Sequence, residues 1–123
     1  MVIEFYKYQA TGNDFIVIDD RKKEFDTEDS NLIASLCERK FGIGADGLIL
    51  LRNHDKYDFE MIYFNSNGLQ SSLCGNGARC IVSFASTLGI INQKTFFKAK
   101  DWLQEASIND SDNCKKINDI YKV

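Results

Sequence analysis

The sequence predicts an α+β domain in which a mixed or antiparallel sheet curls around one central, apolar helix. Three observations carry this. Most of the chain breaks into short alternating or apolar runs of strand length, separated by turn residues. One stretch, about residues 76–88, reads as a helix whose apolar residues, among them Ala78, Cys80, Ile81, Val82, Phe84, Ala85 and Leu88, spread around most of its circumference. A helix of that kind is buried on nearly all sides. Finally, 123 residues with 44% apolar content fit one domain, residues 1–123, with its own core.

The elements follow in order. Residues 2–8 alternate apolar and polar, as a strand does, and residues 10–14 form a turn. Residues 15–18 are a second, more buried strand, closed by residues 19–21. Ser30 is the expected N-cap of a helix with Leu32, Ile33, Leu36 and Cys37 on one face, and Gly42 is the expected stop. Residues 48–51 are an apolar strand, residues 53–56 turn the chain, and residues 57–64 return as a strand. Residues 65–73 are a polar loop containing Gly68. The central helix follows and stops at Gly89. Residues 95–99 and 103–108 are strands, and the polar tail from Asn109 holds one more near residues 116–121. Proline is absent, so turns rely on Gly, Asn and Asp.

Composition excludes several function classes. The net charge is −3, and no dense Lys/Arg run provides a footprint for nucleic acid. No apolar run is long enough to cross a bilayer, and the first residues read as a strand instead of a signal peptide, so a cytoplasmic protein is expected. The four cysteines, Cys37, Cys74, Cys80 and Cys114, form no C-x-x-C pair, and a reducing compartment keeps such thiols free. The single histidine, His54, lies in a polar stretch and reads as a turn residue, so no metal site is expected.

Chemistry concentrates at Cys74-Gly75-Asn76-Gly77-Ala78-Arg79-Cys80. A helix start exposes backbone N–H groups without internal partners and carries partial positive charge. A thiol there tends toward thiolate, and a carboxylate docks there readily. The bland reading of a cysteine is a small buried hydrophobe, which suits Cys37 and Cys80, inside apolar helical patterns. Cys74 differs through its neighbours Gly75 and Gly77, which let a ligand approach the backbone. On spacing alone both readings of Cys74 stand. Arg79 either helps hold the thiolate or pairs structurally with an acidic side chain. Asn13 and Asn65 sit at strand ends, where an amide can hold both ends of a zwitterion or simply make a turn. Residues 42–47 match the G-x-G-x-x-G expression, but a helix precedes them and a strand follows, the reverse of a dinucleotide fingerprint.

The segment at Cys74 resembles the signature of diaminopimelate epimerase. So do Tyr8-Gln9-Ala10-Thr11-Gly12-Asn13-Asp14-Phe15, Phe41-Gly42-Ile43-Gly44-Ala45-Asp46-Gly47 and Tyr63-Phe64-Asn65-Ser66-Asn67-Gly68, in the order the family carries them. The resemblance implies the epimerase-like fold and a cofactor-independent isomerase, free of pyridoxal phosphate and of metal. It would link the LL and meso forms of diaminopimelate in lysine and peptidoglycan precursor synthesis. Two thiols on opposite faces of Cα would exchange the proton. By position Cys74 would be one of them, and Asn13, Asn65, Gly75 and Asn76 would hold the substrate.

The chain also departs from the family pattern. The second thiol of such enzymes comes from a second, similar domain, so this chain is expected to correspond to the N-terminal half and to be inactive alone. Cys114 lacks the flanking glycines of a substitute. The family's first domain is completed by a strand from the far C-terminus, so an unpaired sheet edge is expected here. A homodimer is compatible with the resemblance. Asn67 stands where the family usually has Asp, and Ala10-Thr11 where it has a more glycine-rich pair. A proline racemase-like or phenazine-biosynthesis isomerase-like protein is the related alternative, opposed by Asn76 where those relatives carry His. A non-catalytic binding or assembly module on the same scaffold is the alternative of a different class.

Overall fold

The structure, a computed structural model, describes the backbone of residues 2–72, 75–100, 102–108 and 114–122, and the side chains of these up to residue 108 except that of Trp102. The elements are β1 (Glu4–Ala10), β2 (Asn13–Asp19), α1 (Ser30–Cys37), β3 (Gly47–Arg52), β4 (Phe59–Asn65), α2 (Gly75–Thr87), β5 (Lys94–Ala99), β6 (Trp102–Ser107) and β7 (Cys114–Lys122). They form a 7-stranded sheet in the order β6-β5-β4-β3-β2-β1-β7. Pairing is mixed: β2 with β3 and β4 with β5 are parallel, the remaining pairs antiparallel. Each parallel pair is bridged by a helix, α1 for the first and α2 for the second, as a parallel connection requires.

α2 packs against β1, β2, β3, β4 and β7. Five adjacent strands span roughly 19 Å if flat, about twice the width of a helix. The sheet therefore curves around α2, as the sequence predicts. Tyr8, Phe15, Val17, Ile49, Leu51 and Phe97 close on Ile81, Phe84 and Ala85 of the helix. The opposite face carries a second cluster, in which Ile16, Ile18, Leu48 and Leu50 meet Ile33, Leu36 and Cys37 of α1. β2 and β3 are thus buried on both faces. That is why residues 15–18 and 48–51 read as continuous apolar runs.

Several expectations shift. α2 is not buried all round, because Gly75, Arg79 and Ser86 are exposed and mark an open stripe. The N-cap of α1 is Asp29, whose Oδ1 accepts the Leu32 N–H at 3.0 Å, and Ser30 is the first helical residue. α1 ends at Cys37, before Gly42, because Glu38 is extended. The following loop folds back so that Ile43 and Gly44 donate to Leu36 O and Ala45 to Cys37 O, satisfying the helix's last carbonyls. The turn after β1 is only two residues, Thr11 (φ 51) and Gly12 (φ 84), the left-handed pair of a type I′ hairpin. The unpaired edge does not fall at β1, where β7 pairs antiparallel from Glu4↔Lys122 to Ala10↔Cys114. The outermost strands are β6 and β7.

Buried polar groups are paired. Asp20 accepts from Arg52 Nε at 2.7 Å, and Thr95 Oγ1 donates to Asp58 Oδ2 at 2.7 Å. Among the described residues no buried side-chain polar atom lacks a partner. His54 is a turn residue, its Nδ1 accepting the Lys56 N–H at 3.1 Å. Among the described residues no helix is long and apolar enough to cross a membrane.

Candidate active site

Sheet register decides which candidate residues share an end of the domain. Asn13 opens β2, two residues before Phe15, which pairs with Gly47 at the start of β3. Gly47 in turn pairs with Asn65 at the end of β4. Asn13 and Asn65 therefore stand at the same sheet end, and the chain runs from Asn65 through its loop into α2. At that end Thr11 Oγ1 lies 3.3 Å from Asn76 Oδ1, which ties the β1–β2 turn to the first turn of α2. Asn76 Oδ1 also accepts from Arg79 Nη2. Arg79 thus meets an amide in its own helix, and among the described residues no acidic side chain forms an ion pair with it.

Gly75 is the first residue of α2, one earlier than predicted, and is exposed. An added Cβ there would meet nothing within 4 Å, so the backbone at the helix mouth is open to approach. Gly77, by contrast, is buried, so its part is packing. Cys74, the central sequence expectation, lies outside the described residues, as does the Cys114 side chain. Cys37 and Cys80 are buried, and burial pushes the Cys37 thiol up to about 11, so it is a structural thiol.

Asn65 is exposed, and its backbone closes a tight loop by donating to Leu69 O and accepting from Gly68 N. Asn67 Oδ1 accepts the Leu69 N–H at 3.0 Å, so this Asn makes a turn contact. Gly68 has φ 89, and a Cβ would lie 2.1 Å from the backbone oxygen of Ser30 in α1. Gly68→Ala should therefore cost about 2–4 kcal/mol and displace the Asn65 loop. Urea unfolding checks this, and a variant as stable as the parent would refute the contact.

Asn13 belongs to an ionic network that sequence reading missed. Its Nδ2 donates to Asp46 Oδ2 at 2.7 Å. Asp14 accepts from Arg39 Nη2 at 2.8 Å and from the buried Lys7 Nζ at 2.8 Å. Lys7 Nζ also donates to Gly44 O. Burial raises the Asp14 carboxyl, but the hydrogen bonds from Arg39 and then Lys7 outweigh it and hold the group well below the usual carboxylate range. Gly44 and Asp46 of the glycine-rich link thus close over this network. Among the described residues no three or more His, Cys, Asp or Glu side chains cluster to hold a metal ion.

The sequence model of the diaminopimelate epimerase family matches residues 5–110. The chain belongs to the diaminopimelate epimerase family. A diaminopimelate epimerase of Flavobacterium psychrophilum is 56% identical over 110 residues, which are 89% of this chain and 43% of that protein. One from Aquifex aeolicus is 38% identical over 94% of this chain and 44% of its own length. The chain thus spans less than half the length of the curated relatives it matches. The family's fold is seen in solved structures as well. A Bacillus anthracis phenazine biosynthesis protein of the PhzF family superposes with a TM-score of 0.71 at 16% identity, over 93% of this chain and 39% of that one. A hydroxyproline epimerase from Agrobacterium vitis gives 0.66 at 13% identity, over 89% and 38%. At these identities the likeness is one of fold.

Proposed function

We propose that this chain supplies one half of the site of a cofactor-independent diaminopimelate epimerase. It acts in the cytoplasm on the path to lysine and peptidoglycan precursors. The observation that carries the reading is the 3.3 Å contact of Thr11 with Asn76, which gathers the Asn13 hairpin and the mouth of α2 at one sheet end. Asn13, Asn65, Gly75 and Asn76 hold the substrate there, Gly75 and Asn76 through backbone N–H groups directed at the α-carboxylate.

The chemistry needs such donors. A Cα proton beside a carboxylate is very weakly acidic, because its loss adds charge to an anionic group. Fixed N–H groups at a helix start stabilise that charge without reorganising, and one such donor is worth roughly 3–4 kcal/mol in other enzymes. The Cys74 thiolate takes the Cα proton, and the electron pair stays on carbon, delocalised into the carboxylate. A second thiol, from a second domain, returns a proton to the opposite face. The stereocentre inverts, and the two sulfurs exchange protonation states.

The test is solvent-deuterium incorporation at Cα of LL-diaminopimelate in heavy water. The chain alone should show none, and a preparation that also supplies the second domain should exchange. Cys74→Ser in that preparation should lower turnover by about 10²–10⁴-fold, since a hydroxyl is a far poorer proton carrier at neutral pH. Undiminished exchange by Cys74→Ser would refute the thiol's role.

A further inference from the structure

Asn13 is held from outside its own hairpin, by a residue of the glycine-rich link. Asp46 Oδ2 accepts from Asn13 Nδ2 at 2.7 Å and from the Asp14 N–H at 3.1 Å. Its other oxygen, Oδ1, accepts from Arg39 Nη2 at 3.1 Å. The Asp46 N–H in turn donates to Asp14 O at 3.0 Å. Asp46 is thus fixed at both carboxylate oxygens and at its backbone, although its side chain is partly open to solvent.

An asparagine amide has two faces of nearly equal shape and opposite polarity, an accepting oxygen and a donating nitrogen. Without a fixed partner such an amide turns over and offers a ligand either one. A carboxylate accepts only, so it binds the amino end and repels the carbonyl end. We propose that Asp46 is a positioning residue, with Arg39 aiming its carboxylate. Asp46 keeps the Asn13 amide in one orientation, so that substrate meets a preorganised contact and does not have to select one. This rests on Asn13 touching substrate, as proposed above. Preorganisation of this kind appears as affinity, because the ordering cost is met before binding.

The experiment uses the 123-residue chain with isotope-labelled asparagine, followed by NMR. The first readout needs no ligand: hydrogen exchange of the Asn13 side-chain amide should be slow in the parent and at least about tenfold faster in Asp46→Ala, the loss expected for one charge-assisted hydrogen bond. Asp46→Asn, which keeps the size but accepts and donates alike, should lie between them and covers the case in which alanine unfolds the chain. The second readout is titration with LL-diaminopimelate of the preparation that also supplies the second domain. Asn13→Ala and Asp46→Ala should each weaken binding about tenfold, and the double variant should lose no more than either alone. A general structural role for Asp46 would instead add its loss to that of Asn13→Ala. Unchanged amide exchange in both Asp46 variants, or additive losses, overturns the inference. If Asn13→Ala leaves the titration unchanged, or the parent does not respond, the substrate reading of Asn13 fails, and the exchange arm still decides whether Asp46 holds the amide.

Discussion

Phe84→Ala is expected to destabilise the domain by about 3–5 kcal/mol, the usual cost of deleting a fully buried aromatic ring. Phe84 lies in the C-terminal half of α2 with no exposed surface. Its ring centroid is 4.8 Å from that of Tyr6 and 5.9 Å from that of Tyr8, both on β1. The ring therefore joins the helix to the strand that carries the Asn13 hairpin. A small domain is stable by only about 5–15 kcal/mol, so the loss is a large share of the total. Urea unfolding should show a lower midpoint at an unchanged slope. A loss below about 1 kcal/mol would mean that α2 merely rests on the sheet, and the account of the core would fall.

Asp14→Ala should cost a comparable 3–5 kcal/mol, for a different reason. It removes the carboxylate partner of Lys7, whose side chain is only 9% exposed, and strands a buried charge against the Gly44 carbonyl. The companion variant Lys7→Met, Asp14→Ala should recover most of the loss, because an apolar replacement of both partners leaves no orphan charge. The Asp14 carboxylate, held by Arg39 and Lys7, also sets an acid dependence. The Asp14 carboxyl is lower in the folded chain than the unfolded value near 4, so its stabilisation is complete above about pH 4 and fades as pH falls toward the folded value. Melting temperature against pH should drop below about pH 4 in the parent, and more gently in Asp14→Ala. Equal slopes in the two proteins would show that Asp14 does not carry this dependence.

Much of the fold is legible in the residues. The continuous apolar runs at Phe15 and Leu48 are strands buried on two faces, and the apolar circumference around Phe84 is the helix the sheet wraps. Boundaries were harder to read, and for physical reasons. Ser30 is as good a cap as Asp29 on propensity, and only the placed carboxylate, accepting from Leu32, distinguishes them. Gly42 reads as a helix stop, yet the chain leaves the helix earlier, because the link to β3 must turn back to cover the last carbonyls. The candidate site was half legible. Gly75 and Asn76 announce themselves through glycine beside a helix start, and Asn13 and Asn65 through strand ends. Asp46 does not, because its partner Asn13 is 33 residues away and no local spacing encodes that contact.

By itself the amino-acid order determined the elements, their alternating or helical periods, and the segments in which thiol, glycine and amide groups lie close along the chain. These follow from interactions within a few residues, which turn chemistry and hydrophobic period record directly. Only the tertiary structure decided that the Thr11 turn meets Asn76, that Asp46 grips Asn13, and that β7 lies beside β1. Those choices depend on closing long loops around a shared core, where burial on both faces of the central strands selects one register out of several locally acceptable ones.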